Sequence, residues 1–377
     1  MLGFERTGAA LGIALLLVLS ACVGENQAAT QAERPGVVAK GGDDRTGEYR
    51  VVEDWWKPAP NHEGTWTWGQ VAGVAVDHPN RIVVVTRGDS DGQGNVRAGR
   101  TNFIVVADGD GNIVERWTQW DSILTLPHQV YINPYDPERH VWVVDSGGVE
   151  EHQILKFTND GSEVVMRLGD TDNPRTQQEA RANPNPGPYT FGWPSKLAFL
   201  PDGSFLFADG YWNSRIIRFS EEGEYLMEWG EFGTGPGQFD LLHGLAVDRD
   251  RRVYVGDRTN NRIQVFTENG EFIEEWPDIY DPVNIFIDES NAVWVVSARL
   301  NRILKYNRNG ELQYHFGTYG RTAGTWEGGL ARPHQLDVDE NGNLYVANYD
   351  GGWVNKFVPR PGADPGKLIG NRLLLID

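Results

Sequence analysis

Three of the eight histidines share one setting. His128 opens a run of strand character in "LPHQVYI", His243 in "FDLLHGLAVD" and His334 in "RPHQLDVDENGNLYVAN". Imidazole nitrogens bind transition metals. Three of them with a fourth position left open make the donor set of a catalytic zinc site. Zinc is the expected ion, although copper, iron or nickel accept the same nitrogens. A single histidine at a strand head reads as a polar group answering the backbone, but three in register read as a ligand set. The other five, His62, His78, His140, His152 and His315, fall in turns, outer strands or loops and are expected at the surface.

Residues so far apart in the chain meet only if a repeated element carries them to one point. The repeat is a short apolar strand, a polar turn, a stronger apolar strand, an Asp/Asn/Arg loop, a third strand and a fourth. Clear copies are "KLAFLPDGSFLFADGYWNSRIIRFSEEGEYLMEWG", "HGLAVDRDRRVYVGDRTNNRIQVFTENGEFIEEW" and "VNIFIDESNAVWVVSARLNRILKYNRNGELQYHFG". Starts fall near 73, 128, 196, 243, 283 and 334, and no segment holds a long helical period. Short alternating strands bounded by Gly, Asn and Asp, four to a repeat and six times over, predict an all-β, six-bladed β-propeller. First strands line the channel of a propeller, and alternate blades stand about 120° apart, so the three histidines converge. The positions comparable to them in the other blades are Gly73 or Val74, Lys196, and Val283 or Asn284. Either "GEYRVVEDWW", from Gly47, or the C-terminal "KLIGNRLLLID" could close the ring. Loops after second strands also reach the channel, and three of them carry Arg87, Tyr211 and Arg258.

Residues 1–21 read as a lipoprotein signal peptide, with Arg6, an apolar run from Ala9 to Val18 and the lipobox "LSAC". Cys22 is then the lipidated residue, residues 22–46 a polar tether, and 47–377 the propeller. The expected location is outside the cytoplasm, on a bacterial membrane held through the lipid alone. Cys22 is the only cysteine, so the core has no disulfide. A formal net charge of −19 with no basic stripe argues against nucleic acid as a partner. The chain is expected to be a monomer acting on a small molecule or peptide with a carboxylate.

The stretches "GQVAGVAVD", "TRGD", "LPHQV", "DGYWNSRI", "PGQFDLLHGLAV", "DRTNNRIQVF" and "RPHQLDVDENGNLYVAN" resemble the NHL-repeat propellers, and within them the peptidyl-α-hydroxyglycine α-amidating lyases. The resemblance implies a zinc ion on His128, His243 and His334. It implies Tyr211 beside the metal, and Arg87 and Arg258 in the substrate pocket. The implied reaction splits a peptidyl-α-hydroxyglycine into a peptide amide and glyoxylate, with Tyr211, made acidic by nearby cations, taking the hydroxyl proton. Two departures stand out. Arg332 replaces the family's methionine, adding a cation near the metal rim that either weakens cation binding or marks a different, more anionic substrate. Gln335 replaces an aspartate that, with the carbonyls of Val74 and Val130, holds calcium in the family; a hard cation loses its only carboxylate there. Trp212 stands where the family has a disulfide cysteine. The family's partner monooxygenase is not expected in the sequence, so the chain would need hydroxyglycine-type substrates from elsewhere or act on something else. Two alternatives remain: another metal-dependent hydrolase or lyase on the same scaffold, or a non-catalytic propeller that binds protein or glycan.

Overall fold

The computed structural model describes residues 45–58, 68–89, 100–147, 151–170, 175–183, 186–320 and 329–375. The leader, Cys22, the tether to residue 44 and His62 lie outside them.

Six antiparallel four-stranded sheets are arranged as the repeat predicts. Blade one is Val71–His78, Arg81–Thr86, Ile104–Ala107 and Ile113–Arg116. Blade two is Pro127–Ile132, Val141–Asp145, Gln153–Phe157 and Val164–Leu168. Blade three is Lys196–Phe199, Phe205–Asp209, Arg215–Phe219 and Tyr225–Trp229. Blade four is Leu242–Val247, Arg252–Asp257, Arg262–Thr267 and Phe272–Trp276. Blade five is Pro282–Ile287, Val293–Ser297, Arg302–Tyr306 and Leu312–Phe316. Blade six is Pro333–Val338, Leu344–Asn348 and Trp353–Pro359, completed by Tyr49–Val51. The second strands are apolar runs, such as Val293–Ser297, buried throughout because neighbouring blades cover both faces. Outer strands such as Ile113–Arg116 alternate, with one face towards water.

The turn at Asp339 forms as its residues suggest. Its carboxylate accepts from the backbone N–H of Asn341 at 3.0 Å and Asn343 at 2.9 Å, and Gly342 supplies a positive φ of 76°. Ring closure falls to the N-terminal candidate, with Tyr49 opposite Pro359 and Val51 opposite Phe357. The C-terminal candidate does something else. Leu373 N donates to Ile287 O at 3.0 Å, and Leu375 N donates to the Tyr135 hydroxyl at 2.9 Å. Leu373 and Leu375 pack with Leu245, Ile285 and Ile287, so this segment covers the end of the channel where first strands finish. At the end where they begin, the described residues leave a pocket.

Strand pairing corrects the register. Pro127 faces Asp145 and Gln129 faces Val144, which leaves His128 as the extra residue of a β-bulge. His243 and His334 occupy the same bulge, and so do Ala72 and Val283. Lys196 pairs with Ala208 as Gln129 pairs with Val144, so Ser195 is the equivalent in blade three. The expected Gly73 or Val74 and Lys196 are therefore displaced by one or two residues, while Val283 is right. Counting along the sequence cannot see the inserted bulge residue.

Candidate metal centre

The three ring centres form a nearly equilateral triangle, 4.7–4.8 Å on a side. All three side chains are buried, His243 completely. Each imidazole is oriented by the neighbouring blade in one repeated way. His128 Nδ1 lies 3.1 Å from Ser195 O, His243 Nδ1 2.8 Å from Val283 O, and His334 Nδ1 2.6 Å from Ala72 O. A carbonyl only accepts, so each Nδ1 carries the proton and each Nε2 is left with a bare lone pair. The Gln129 amide Nε2 donates to the same Ala72 carbonyl, at 3.3 Å.

The bare nitrogens converge. His334 Nε2 and His243 Nε2 are 3.2 Å apart, and the ligand atoms of the three rings lie within 4.8 Å of one another. Two lone pairs at that distance repel unless a cation stands between them. A tetrahedral zinc ion with bonds of about 2.0–2.1 Å spaces its nitrogens by about 3.3 Å. Burial, and then the positive charges nearby, hold all three imidazoles well below the ordinary histidine range, in the neutral form that ligates. The donor set fits a divalent transition metal with an open fourth position.

The open position faces a pocket at the strand-start end. Its walls come from two kinds of position. Residues two before a ring position include Leu126, Trp193 and Arg332. Residues just beyond a second strand include Arg87, Arg258, Ala298 and Tyr349, with Tyr211 one further on. The first kind turns the chain into the channel, and four of its members have positive φ: Trp193 at 59°, Leu241 at 68°, Asp281 at 50° and Arg332 at 55°. Non-glycine residues pay roughly 1–2 kcal/mol for that conformation, so the rim is built against backbone preference.

Tyr211 Oη lies 3.3 Å from His128 Nε2 and 3.5 Å from Arg258 Nη1. Burial raises this phenol above its usual range, while Arg258 and Arg87 pull it down. Without a metal, burial outweighs the cations, contrary to the expectation that they acidify it. The two arginines differ. Arg258 is tied to Asp281 at 2.6 Å, and both side chains are nearly buried. Arg87 is 6% exposed, gives one Nη1 bond to Leu126 O at 2.6 Å, and has a buried Nε with no partner among the described residues. No carboxylate pairs with it there.

Two histidines expected at the surface are buried. His152 Nδ1 lies 2.9 Å from Phe191 O, and its ring packs on Trp212 at 5.2 Å. Trp212 meets Trp193 edge-on at 4.9 Å, and Trp193 stacks on Tyr211 at 5.4 Å and 19°. The residue at the family's cysteine position thus belongs to an aromatic chain that backs the tyrosine. His140 braces a turn, with Nδ1 2.5 Å from Asp136 Oδ2 and Nε2 3.3 Å from Glu138 Oε2. His78 is exposed and His315 half-buried.

The second cation site does not fit a hard ion. Gln335 Oε1 accepts from Val74 N at 3.2 Å and Val130 N at 3.3 Å, and its Nε2 donates to Val130 O at 2.7 Å. The amide fills that place with its own hydrogen bonds and offers no charge.

Sequence reasoning missed Trp193 and Tyr349. The register holds the signal for both: Trp193 precedes Ser195 as Arg332 precedes His334, and Tyr349 follows its second strand as Arg87 and Arg258 follow theirs.

An NHL repeat model matches residues 239–266, within blade four. The mouse peptidyl-glycine alpha-amidating monooxygenase is 33% identical over 212 residues, 51% of this chain and 20% of its own length. A peptidyl-alpha-hydroxyglycine alpha-amidating lyase of Drosophila melanogaster is 26% identical over 42% of the chain and 28% of its own length. The mouse NHL repeat-containing protein 3 is 27% identical over 76% of the chain and 78% of its length. The match thus spans about one fifth of the mouse amidating enzyme. A streptogramin B lyase structure superposes with a TM-score of 0.54 at 16% identity, covering 78% of this chain and 95% of that one, which speaks to the fold alone. The chain is a six-bladed β-propeller that carries an NHL repeat and is similar, over about half its length, to peptide-amidating enzymes.

Proposed function

We propose that the chain is a metal-dependent lyase of the amidating type, breaking the C–N bond of an acyl- or peptidyl-α-hydroxyglycine to give an amide and glyoxylate. One observation carries this reading: three bare imidazole nitrogens converge beneath a pocket whose wall holds a buried guanidinium with no carboxylate partner among the described residues.

His128, His243 and His334 would hold a divalent ion through their Nε2 atoms, and that ion would supply Lewis acidity to a substrate oxygen. Arg87 takes the substrate carboxylate, since a buried guanidinium gains most from a bidentate anion. Tyr211 in its phenolate form, which a bound divalent ion and Arg258 Nη1 would favour over the neutral phenol, takes the hydroxyl proton on Oη. The oxygen's electron pair then forms the carbonyl of glyoxylate, the C–N bond breaks, and the amide nitrogen takes a proton back from Tyr211. Trp193, stacked on Tyr211, limits the water that reaches the phenol. The exported, lipid-anchored placement through Cys22 belongs to the same proposal.

The test is to load the purified chain with zinc, supply an N-acyl-α-hydroxyglycine, and measure glyoxylate. Stoichiometric metal with glyoxylate release supports the reading. Metal without glyoxylate rejects it in favour of another metal-dependent reaction, and absence of metal rejects both.

A further inference from the structure

Among the described residues, the pocket over the imidazoles is lined by three guanidiniums, Arg87, Arg258 and Arg332, and by no carboxylate. In a chain of formal net charge −19 this inverts the prevailing sign. One substrate carboxylate does not balance three arginines. Arg258 is already neutralised by Asp281, in a pair whose side chains are 11% and 4% exposed. Arg87 has no such partner among the described residues, and in the reading above it takes the carboxylate of the hydroxyglycine.

Arg332 is a third case. Its guanidinium reaches Asp350 at 3.3 Å, but these side chains are 38% and 53% exposed. An ion pair so wet holds its members weakly and can exchange one partner for another. The backbone of Arg332 is fixed while its head is not. Its N donates to Asn301 Oδ1 at 2.8 Å, its O accepts from Tyr349 N at 3.0 Å, and its Cζ lies 5.5 Å from the centre of the Tyr349 ring. Arg87 approaches the same ring at 5.6 Å. Arg332 also lines a second, wider hollow with Arg299, Asn301, Tyr319 and Asp350, which shares Ala298 with the first. Among the described residues the two hollows thus meet at Ala298 and Arg332.

We propose that Arg332 binds a second carboxylate, on the acyl side of the scissile bond, so that the preferred substrate is a dianion. An acidic residue ahead of the hydroxyglycine, or a dicarboxylic acyl group, has that form. This rests on the amidating reading for the first carboxylate. Asp350 is the stand-in that Arg332 leaves when substrate arrives. Tyr349, between Arg332 and His334, keeps the second charge off the metal ligands, its ring 5.4 Å from the imidazole.

The test is binding to the zinc-loaded full chain of N-succinylglycine and N-butyrylglycine. They differ chiefly by a terminal carboxylate, and neither has the hydroxyl needed for turnover. Calorimetry on the wild type is expected to show N-succinylglycine bound at least about tenfold tighter, as a charge-assisted pair gives. Arg332→Met brings the two constants together, and Asp350→Asn, which frees Arg332, widens their ratio. Equal constants in the wild type, a preference that survives Arg332→Met, or a ratio that narrows in Asp350→Asn overturns the proposal. Glyoxylate release from N-butyryl-α-hydroxyglycine is measured on the same protein. A binding preference without any glyoxylate supports the two-carboxylate pocket and rejects the lyase reaction instead.

Discussion

Blades two, four and six and blades one, three and five share a backbone but perform different chemistry. In the even blades the ring position is His128, His243 or His334; in the odd blades it is Ala72, Ser195 or Val283. At five of the six a β-bulge presents the residue. The even blades supply imidazoles, and the odd blades supply the carbonyls that orient them. A six-fold scaffold thereby becomes a three-fold site. Six imidazoles could not share one tetrahedral ion, and three without fixed tautomers would bind it poorly. The odd blades act through main-chain atoms, which tolerate almost any small side chain, whereas the even blades depend on one residue type.

The sharpest way to break this comparison is His243→Ala. Metal content of the purified chain, by elemental analysis, should fall to background, and glyoxylate release should drop by about 10³-fold or more. Full metal occupancy in that variant would sink the ligand assignment. Next in size is Arg87→Gln. Loss of a buried charge partner costs about 2–5 kcal/mol, so kcat/KM should fall about 30- to 5000-fold, with metal content intact. An unchanged KM would place the substrate carboxylate elsewhere.

Lys196 sharpens the comparison on the odd side. It follows the ring residue of blade three as Gln129 and Gln335 follow theirs, but it is fully buried and its Nζ has no hydrogen-bond partner among the described residues. Burial, and then Arg258, hold its ammonium well below the usual 10.5. The unfolded chain therefore binds the extra proton between the lowered folded value and 10.5, and folded stability rises with pH across that interval. Lys196→Met should stabilise the fold at neutral pH by about 1–3 kcal/mol in denaturant unfolding. The gap to wild type should close as pH approaches 10.5; a gap that is constant with pH would contradict the lowered ammonium. The smallest effect belongs to Ser195→Ala. It removes a hydroxyl bond to Ala208 O at 3.2 Å and keeps the carbonyl that holds His128, so stability should fall by about 1 kcal/mol with metal content unchanged. Loss of metal there would mean that the odd blades contribute more than their backbone.

Much of this was legible without coordinates. Strand alternation, the Asp339–Gly342 turn and the repeat length are local patterns, and they sufficed for six blades of four strands. The three histidines, Tyr211, Arg87 and Arg258 were legible because a propeller turns equal places in a repeat into equal places around an axis, and these six do gather at one pocket or beneath it. The errors came where local pattern is silent. The bulge moved the odd ring positions to Ala72 and Ser195. His152 looked like a loop residue, yet it supports the aromatic chain behind Tyr211.

The sequence by itself determined which residue types recur and at what repeat spacing, hence the propeller and its cluster of three histidines. Tertiary structure alone decided which charges are spent. Arg258 has Asp281, and Arg87 has no carboxylate among the described residues, a distinction set by whichever neighbouring loop packs against each. It decided that Gln335 closes its site with its own amide, and that Tyr49–Val51, rather than the C-terminal segment, completes blade six. It also supplied the acceptor for each imidazole, as far away in the chain as Ala72 is from His334. The reason is common to all of these. Periodicity is written between neighbours in the chain, whereas charge pairing, tautomers and closure depend on free-energy differences between contacts that exist only once the ring has formed.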